Sequence, residues 1–324
     1  MTEDFFMEMT ETKKITTEKR QTVHIINPVS GSGRKFKRTR RALADLGEKI
    51  YLTKRESDCR EFVAELLAKD PFAHVVAHGG DGTMNEAVSG IMDAGAGKTA
   101  LFTGIPAGSG NDFLRYAAEE MNVEGREYPI DLIGANGKYS VNVINVGFDC
   151  TVVSEAERIR RAPGIGNSFS YILGVVSALG KKEAFETDVV FEGVGDGNKE
   201  NETLHGKYLL AAIANCRYYG GGFKVAPIAK PDDGLLDVIL VNDIKIPKFA
   251  KLISDFRKGT HISEKGYLKD KFRDVMTFKR CRKISFEGVK KICYDGEIFD
   301  ENEISAEALP CAVVFTPPKK EWII

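Results

Sequence analysis

One stretch limits what this chain can fold into more than any other: His78-Gly79-Gly80-Asp81-Gly82-Thr83-Met84-Asn85-Glu86. The run His74-Val75-Val76-Ala77 leads into it and predicts a buried parallel strand. The run Glu86-Ala87-Val88-Ser89-Gly90-Ile91-Met92 leads out and predicts an amphipathic helix. Glycines at a strand-to-helix turn let the backbone approach a bulky anion closely. The free N–H groups and positive dipole end of the helix suit phosphate. Each residue alone has a plainer explanation. Thr83 and Glu86 have the T-x-x-E spacing of a capping box, and Asp81-Gly82 is a common turn pair. A plain turn, however, needs neither three glycines nor a buried strand before them.

The same grammar recurs on either side. Thr22-Val23-His24-Ile25-Ile26 predicts a first strand that ends in Asn27-Pro28-Val29-Ser30-Gly31-Ser32-Gly33, followed by a basic helix (Lys35, Lys37, Arg38, Arg40, Arg41). Ile50 to Thr53 is a short strand, and Asp58 and Glu61 open a helix with Phe62, Val63, Leu66 and Leu67 on one face. Thr99 to Ile105 is a fourth strand, ending in Pro106-Ala107-Gly108-Ser109-Gly110-Asn111-Asp112, with a helix from about Phe113. Alternating strands and helices imply a parallel α/β sheet. Ligands bind such sheets at the carboxyl ends of the strands, where three of these strands end in glycine-rich loops.

The texture changes near residue 138. Tyr139–Gly147, Thr187–Glu192, Tyr208–Asn215, Leu235–Val241, Lys283–Phe286 and Lys291–Tyr294 are short, β-rich and turn-punctuated. Helices are expected near 166–180 and 247–258, a polar mobile loop at 193–203, and a last strand at Cys311–Thr316. The fold class is therefore α/β plus β: a mobile leader (1–20), an α/β nucleotide-binding domain (21–135), a β-sandwich domain (136–306) and a tail (307–324) returning towards the first domain. Two domains suit 324 residues.

Composition narrows the function. A net charge of −1 gives no basic field for nucleic acid. The six cysteines are scattered without a C-x-x-C pair, which suits free thiols in a reducing compartment. No apolar run nears the roughly 18 residues that span a bilayer, and the acidic N-terminus lacks a signal-peptide pattern; a cytoplasmic enzyme is expected. There is no Walker A motif, because Met92 stands where Gly97-Lys98-Thr99 would need a glycine. No Rossmann fingerprint exists, since Phe36 replaces its third glycine. Zinc spacing is absent, and His24, His74, His78, His205 and His261 are isolated along the sequence and read as structural. Phosphoryl transfer needs a phosphate cradle, Mg²⁺ and a base for the acceptor hydroxyl. The loops offer the cradle, and Tyr294-Asp295-Gly296-Glu297 offers two carboxylates, although Asp-Gly is also a hairpin turn. Pro231-Asp232-Asp233-Gly234-Leu235-Leu236-Asp237 is either an acidic turn or an oxygen-ligand site for a hard cation.

The set Asn27-Pro28…Gly31…Gly33, Gly79-Gly80-Asp81-Gly82-Thr83…Asn85-Glu86, Pro106…Gly108-Ser109-Gly110-Asn111-Asp112 and Asp295-Gly296-Glu297 resembles the diacylglycerol kinase catalytic family, which includes bacterial lipid kinases, sphingosine kinases and ceramide kinases. The resemblance covers nearly the whole chain from about residue 20. The G-G-D-G-T string alone is shared with NAD kinases; the P-x-G-S-G-N-D segment and the late D-G-E are more specific. Tyr218-Tyr219-Gly220-Gly221-Gly222-Phe223…Pro227 also resembles the bacterial members. The resemblance implies ATP in a cleft between the two domains. Asn27, Pro28, Val29, Ser30, Gly31, Thr53, Gly80, Asp81, Gly82, Thr83, Met84, Asn85, Glu86 and Ser109 match positions that contact it. Asp295 and Glu297 match the pair that supplies the general base, and Asp81 would serve the Mg²⁺–phosphate side or orient the acceptor. A structural Mg²⁺ is implied at the acidic turn, held by the Asp233 carboxylate and the carbonyls of Lys230 and Leu235.

The expected activity is transfer of the ATP γ-phosphoryl to a lipid hydroxyl, diacylglycerol first among candidates. Monoacylglycerol, phosphatidylglycerol, a sphingoid base and a polyprenol stay open as acceptors. An NAD kinase and an inactive nucleotide- or lipid-binding regulator are the rivals. The acceptor places the enzyme in peripheral contact with the inner membrane face. The apolar stretch Phe169, Ile172, Leu173, Val175, Val176 and Leu179, beside Arg158-Ile159-Arg160-Arg161, is either a lipid-docking element or a core helix. Edge strands of the β domain offer a homodimer contact.

Overall fold

The computed structural model describes residues 20–31, 34–108, 110–121, 126–160, 173–174, 177–178, 180–181, 183–195 and 200–323. The first half alternates as the sequence pattern requires. Strands β1 (Thr22–Ile26), β2 (Lys49–Leu52), β3 (His74–Gly79) and β4 (Leu101–Pro106) are separated by helices α1 (Arg34–Asp45), α2 (Asp58–Lys69) and α3 (Asp81–Asp93), with α4 (Asp112–Glu120) after β4. The strands pair in parallel in the order β2-β1-β3-β4. Every residue of β3 is buried, so it reads as a continuous apolar run rather than an alternating one. Helices α2 and α3 cross closely at Gly90, where a Cβ would stand 2.5 Å from the Arg60 carbonyl oxygen. Val63, Leu67, Ala87, Val88 and Ile91 fill this core.

Helix α3 starts five residues earlier than the Glu86 run suggests. Its N-cap is Gly80, in extended backbone, and Asp81 is already in the first turn. Thr83 is inside the helix, so the capping-box reading of Thr83 and Glu86 fails. The reason is steric: Gly79 has no side chain, a Cβ there would overlap Thr83, and the chain can enter the helix at once.

The second half is mostly antiparallel. Strands β5 (Tyr128–Ala135), β6 (Lys138–Ser140) and β7 (Val143–Gly147) lead into helix α5 (Phe148–Arg160). A long hairpin follows, β8 (Phe185–Val194) with β9 (Glu200–Ala214). Then come β10 (Leu236–Asn242), helix α6 (Ile246–Lys258), β11 (Met276–Cys281), β12 (Lys283–Glu287), β13 (Ile292–Tyr294), β14 (Glu297–Phe299) and β15 (Glu303–Phe315). The expected strand 139–147 is in fact two, broken at Val141-Asn142. The expected loop 193–203 is shorter, because Glu200 to Thr203 already belong to β9. These polar residues lie on the exposed outer half of the hairpin, where ladder bonds to β8 rather than burial fix them. The helix expected near 166–180 falls mostly outside the described residues, as does the leader with Phe5-Phe6-Met7.

Strand β15 joins the halves. Its first residues pair antiparallel with β12, while Val314 and Phe315 pair in parallel with β4. The path β14-β13-β7-β9-β8-β12-β15-β4-β3-β1-β2 is thus one hydrogen-bonded sheet. Beyond β15 the chain returns to the first half, and Trp322 is fully buried against His24 and His74.

Candidate functional site

The glycine loops after β1, β3 and β4 meet backbone to backbone. A Cβ on Gly31, whose φ is +63°, would lie 2.5 Å from the Ala107 carbonyl oxygen. A Cβ on Gly80 would lie 3.1 Å from Gly108 Cα, and one on Gly108 would collide with Gly80. One on Gly110 would overlap the Asp81 carboxylate. Glycine is therefore required at these contacts because three chain segments share one small space. Asn27 ties two of the loops: its Nδ2 donates to Thr83 Oγ1 at 3.2 Å, and its Oδ1 accepts the Val29 N–H at 3.1 Å. Pro28 and Ser30 complete the tight turn after β1, whose tip exposes 83% of Val29. Thr53, at the end of β2, is buried and donates its N–H to the Ile26 carbonyl. Met84 is buried in the core of the first half, so its side chain packs behind the loop. Ser109 lies outside the described residues.

Carboxylates gather at the mouth of these loops. Asp81 Oδ1 accepts the Asp112 N–H at 2.7 Å. Asp112 is buried; its Oδ2 accepts the Gly221 N–H at 2.8 Å, and its Oδ1 has no hydrogen-bond partner but faces the Arg115 guanidinium at 3.9 Å. Burial and the nearby Asp112 push the Asp81 carboxyl up to about 7, and burial also raises Asp112 against the pull of the Gly221 N–H. Like charges crowded in a desolvated site call for a cation.

Asp295 and Glu297 differ sharply. The turn Tyr294-Asp295-Gly296-Glu297 joins β13 to β14, with Asp295 at φ +46°. Asp295 accepts five hydrogen bonds: from Ser140 Oγ (2.7 Å), the N–H groups of Val141 (2.7 Å), Asn142 (3.1 Å) and Val143 (2.9 Å), and Asn85 Nδ2 (2.8 Å). Asn85 also donates to the Tyr139 carbonyl at 3.0 Å, so α3 is stitched to the second half through this one amide. A carboxylate has about four lone-pair positions, so Asp295 is saturated. Glu297 accepts no hydrogen bond from the described residues. Its Oε1 lies 4.0 Å from where a Cβ on Gly82 would stand, across the cleft between the two halves. Burial, with repulsion from Glu86, Glu56 and Asp295, pushes it up to about 7. Glu86, in contrast, accepts the N–H groups of Ser57 and Cys59 and braces the start of α2.

The acidic turn is a separate place. The Asp233 carboxylate accepts the Leu235 N–H at 3.1 Å and pairs with the Arg280 guanidinium, which also reaches Asp237. Arg280 is the positive charge facing this turn, and no three His, Cys, Asp or Glu among the described residues form a metal cage.

Sequence reasoning quoted Asp112 within a loop motif without giving it a role; the adjoining Asn111-Asp112 carboxylate was its signal. Gly221 was quoted only within the Tyr218–Phe223 stretch of the resemblance and was given no role. Nor did the sequence show that His24, His74 and His78 share one face. His24 Nδ1 and His78 Nε2 are 2.8 Å apart, and His74 Nε2 is 2.8 Å from Thr103 Oγ1. Burial lowers all three, to about 4, 4 and 3 for His24, His74 and His78. They remain structural, under Trp322.

Glycine loops facing clustered carboxylates, between an α/β half and a β half, are the architecture of a two-domain kinase, and comparison with known proteins specifies which. Residues 21–145 match the diacylglycerol kinase catalytic domain, and residues 142–316 match the YegS C-terminal NAD kinase beta sandwich-like domain. The chain belongs to this family of lipid kinases. It is 28% identical over 271 residues to a protein of Shewanella frigidimarina named "Probable lipid kinase YegS-like", covering 81% of this chain and 82% of that one. It is 29% identical over 257 residues to a diacylglycerol kinase of Mycobacterium tuberculosis, covering 74% and 78%. A crystal structure titled as a diacylglycerol kinase from Bacillus anthracis superposes with a TM-score of 0.63 at 20% identity, over 93% of this chain and 97% of that one, which shows the shared fold.

Proposed function

We propose that this protein transfers the γ-phosphoryl of ATP to the hydroxyl of a lipid, diacylglycerol being the acceptor we assign. The observation that carries the reading is the division of labour between Asp295 and Glu297. Five donors fix the first as an anchor between the halves. The second stands without a hydrogen bond across from the glycine loop, with its carboxyl held near 7, where a general base works best at neutral pH.

The backbone of Asn27 to Gly31, of Gly80 to Glu86 and of the loop around Ser109 would cradle the phosphates. Thr53 would contact the nucleotide beside them. The Asp81 and Asp112 carboxylates fit a Mg²⁺ ion: they are crowded and raised, and Asp112 Oδ1 makes no hydrogen bond, with only the Arg115 guanidinium 3.9 Å away as counter-charge. Magnesium usually takes one or two carboxylates and completes its shell with water and phosphate. Bound there, it would neutralise charge developing on the phosphates. Glu297 would accept the proton of the lipid hydroxyl, and Asp295 would hold Glu297 in place through the turn they share. Phe148, Leu210, Tyr219, Phe223, Phe249 and Phe256, with Asp149, enclose a small aromatic pocket in the second half, with room for little more than a water molecule. No helix among the described residues is long and apolar enough to cross a membrane, and the acceptor would be met by peripheral contact.

The test is transfer of labelled γ-phosphate from ATP with Mg²⁺ to a panel of lipids in mixed micelles, with NAD as a water-soluble control. Label in diacylglycerol is expected; label in another lipid corrects the acceptor, and label in NAD alone refutes the lipid reading. We also propose a structural cation at Asp233, Lys230 and Leu235. It would have to share Asp233 with Arg280, so Mg²⁺ should raise the Tm of the wild type by more than that of Asp233→Asn, which keeps only the Asp81–Asp112 site; an equal response in both refutes it.

A further inference from the structure

Asp149 is a buried acid that the chemistry above leaves unused. It stands in the first turn of α5, on the wall of the aromatic pocket. Its Oδ2 accepts a hydrogen bond from the Tyr219 hydroxyl at 3.2 Å. Both residues are buried, and a hydrogen bond to a charged or polar group is stronger in such surroundings than in water.

Tyr219 opens the segment Tyr219-Gly220-Gly221-Gly222-Phe223, which closes on itself. The Tyr219 N–H donates to the Phe223 carbonyl at 3.0 Å, and the Phe223 N–H donates back at 2.9 Å. The three glycines have φ of +59°, +82° and +107°, a path that a residue with a Cβ follows only under strain. The far side of this loop touches the carboxylate site. The Gly221 N–H is the donor to Asp112 Oδ2, and a Cβ on Gly222 would run into the Arg115 guanidinium. Asp112 in turn donates its N–H to Asp81. Three glycines have no side chains with which to pack, so the loop takes its orientation from the residues at its ends. At one end Asn142 Nδ2 holds the Tyr218 carbonyl at 2.6 Å, the Tyr219 ring packs in the core of the second half, and the Asp149 carboxylate fixes the Tyr219 hydroxyl.

We infer that Asp149 and Tyr219 are positioning residues for phosphoryl transfer: their hydrogen bond anchors the glycine loop whose Gly221 N–H aims the Asp112 carboxylate. The inference rests on the kinase reading. It assigns a role to two residues that touch neither nucleotide nor acceptor hydroxyl, and it explains why an acid is kept inside an aromatic pocket.

Tyr219→Phe removes one oxygen and leaves the ring packing intact. The expected result is a fall in kcat of about tenfold, the scale of one lost buried hydrogen bond, with KM for ATP unchanged within about twofold. Amide exchange should quicken over 219–223 alone. Asp149→Leu should match it, whereas Asp149→Asn, which keeps an acceptor oxygen, should restore kcat to within about threefold of the wild type. A merely structural role would lower Tm and the yield of active protein without separating Asn from Leu. Wild-type kcat in Tyr219→Phe, or equal kcat in the Asn and Leu variants, overturns the inference. Wild-type protein that transfers no phosphate would fail the kinase reading instead. The exchange measurement then decides alone: unchanged protection over 219–223 in Tyr219→Phe overturns the anchoring, and quickening confined to that loop upholds it.

Discussion

Replacing Glu297 by Gln should produce an enzyme that is more stable and far less active than the wild type. The folded chain raises this carboxyl from 4.5 to about 7, through burial first and then through Glu86, Glu56 and Asp295, with Arg60 opposing. At about 1.36 kcal/mol per unit the shift sets an upper bound of about 3 kcal/mol. The side chain is only half-buried, and screening reduces the figure to about 1–2 kcal/mol. The sign follows from linkage. The folded state holds the proton more tightly than the unfolded state, so stability at this residue falls as pH rises from about 4.5 to about 7, and the charged form is a net cost above that. Glutamine carries no charge and escapes the cost, so at pH 8 the variant should melt about 1–3 °C higher. Its kcat should fall by about 10²–10⁴-fold for want of a base. The wild-type rate should lose about tenfold per pH unit below 7 as Glu297 takes up its proton. Labelled transfer to lipid micelles and thermal melts over pH 5–9 measure all three. A variant that keeps more than a tenth of wild-type turnover, or a wild-type acid limb near pH 4.5, refutes Glu297 as the base. Inactivity with a lowered Tm would mean damage to the fold rather than loss of chemistry.

Asp295→Ala should behave in the opposite way, losing stability as well as activity: it leaves the donors of Ser140, Val141, Asn142, Val143 and Asn85 without their acceptor, a loss of about 3 kcal/mol or more in denaturant melts, and a Tm within 1 °C of wild type would contradict the anchor. Gly108→Ala should abolish nucleotide binding, measured by calorimetry, because its Cβ collides with Gly80; unchanged ATP affinity would show that the loops need not touch. Trp322 is the only tryptophan, so its emission reports the contact with the histidines directly. His24, His74 and His78 are held neutral by burial, so their stability contribution is complete above about pH 6.5 and is lost as pH falls from there towards 4. In the folded protein His24 and His74 take up protons only near pH 4, so a change in Trp322 emission is expected on acidification through about pH 4, and constant emission down to pH 3 would refute the coupling.

The glycine loops, the strand-helix alternation of the first half and the late Asp-Gly-Glu turn were legible because each depends on neighbours in sequence. A buried strand such as His74–Gly79 announces itself within ten residues, whereas the helix start at Gly80-Asp81 was placed too late, at the Glu86 run. The second half was read less well. Helix α5 and strands β5, β11 and β14 went unnoticed, since short segments with mixed burial carry weak periodicity. The polar start of β9 looked like a loop, because pairing rather than burial holds it.

The sequence by itself determined which residues could serve phosphate and carboxylate chemistry, and in which order the chain presents them. It left Asp295 and Glu297 equal, since two acids around one glycine are chemically alike. Only the tertiary structure separated them, by surrounding one with five donors from β6, β7, the link between them and α3 and leaving the other open beside Gly82. It alone brought Gly221 to Asp112, and Trp322 to His24 and His74 on two strands. Local propensity specifies elements, but a pKa, a free lone pair or an anchored loop depends on what segments a hundred residues apart place around one atom.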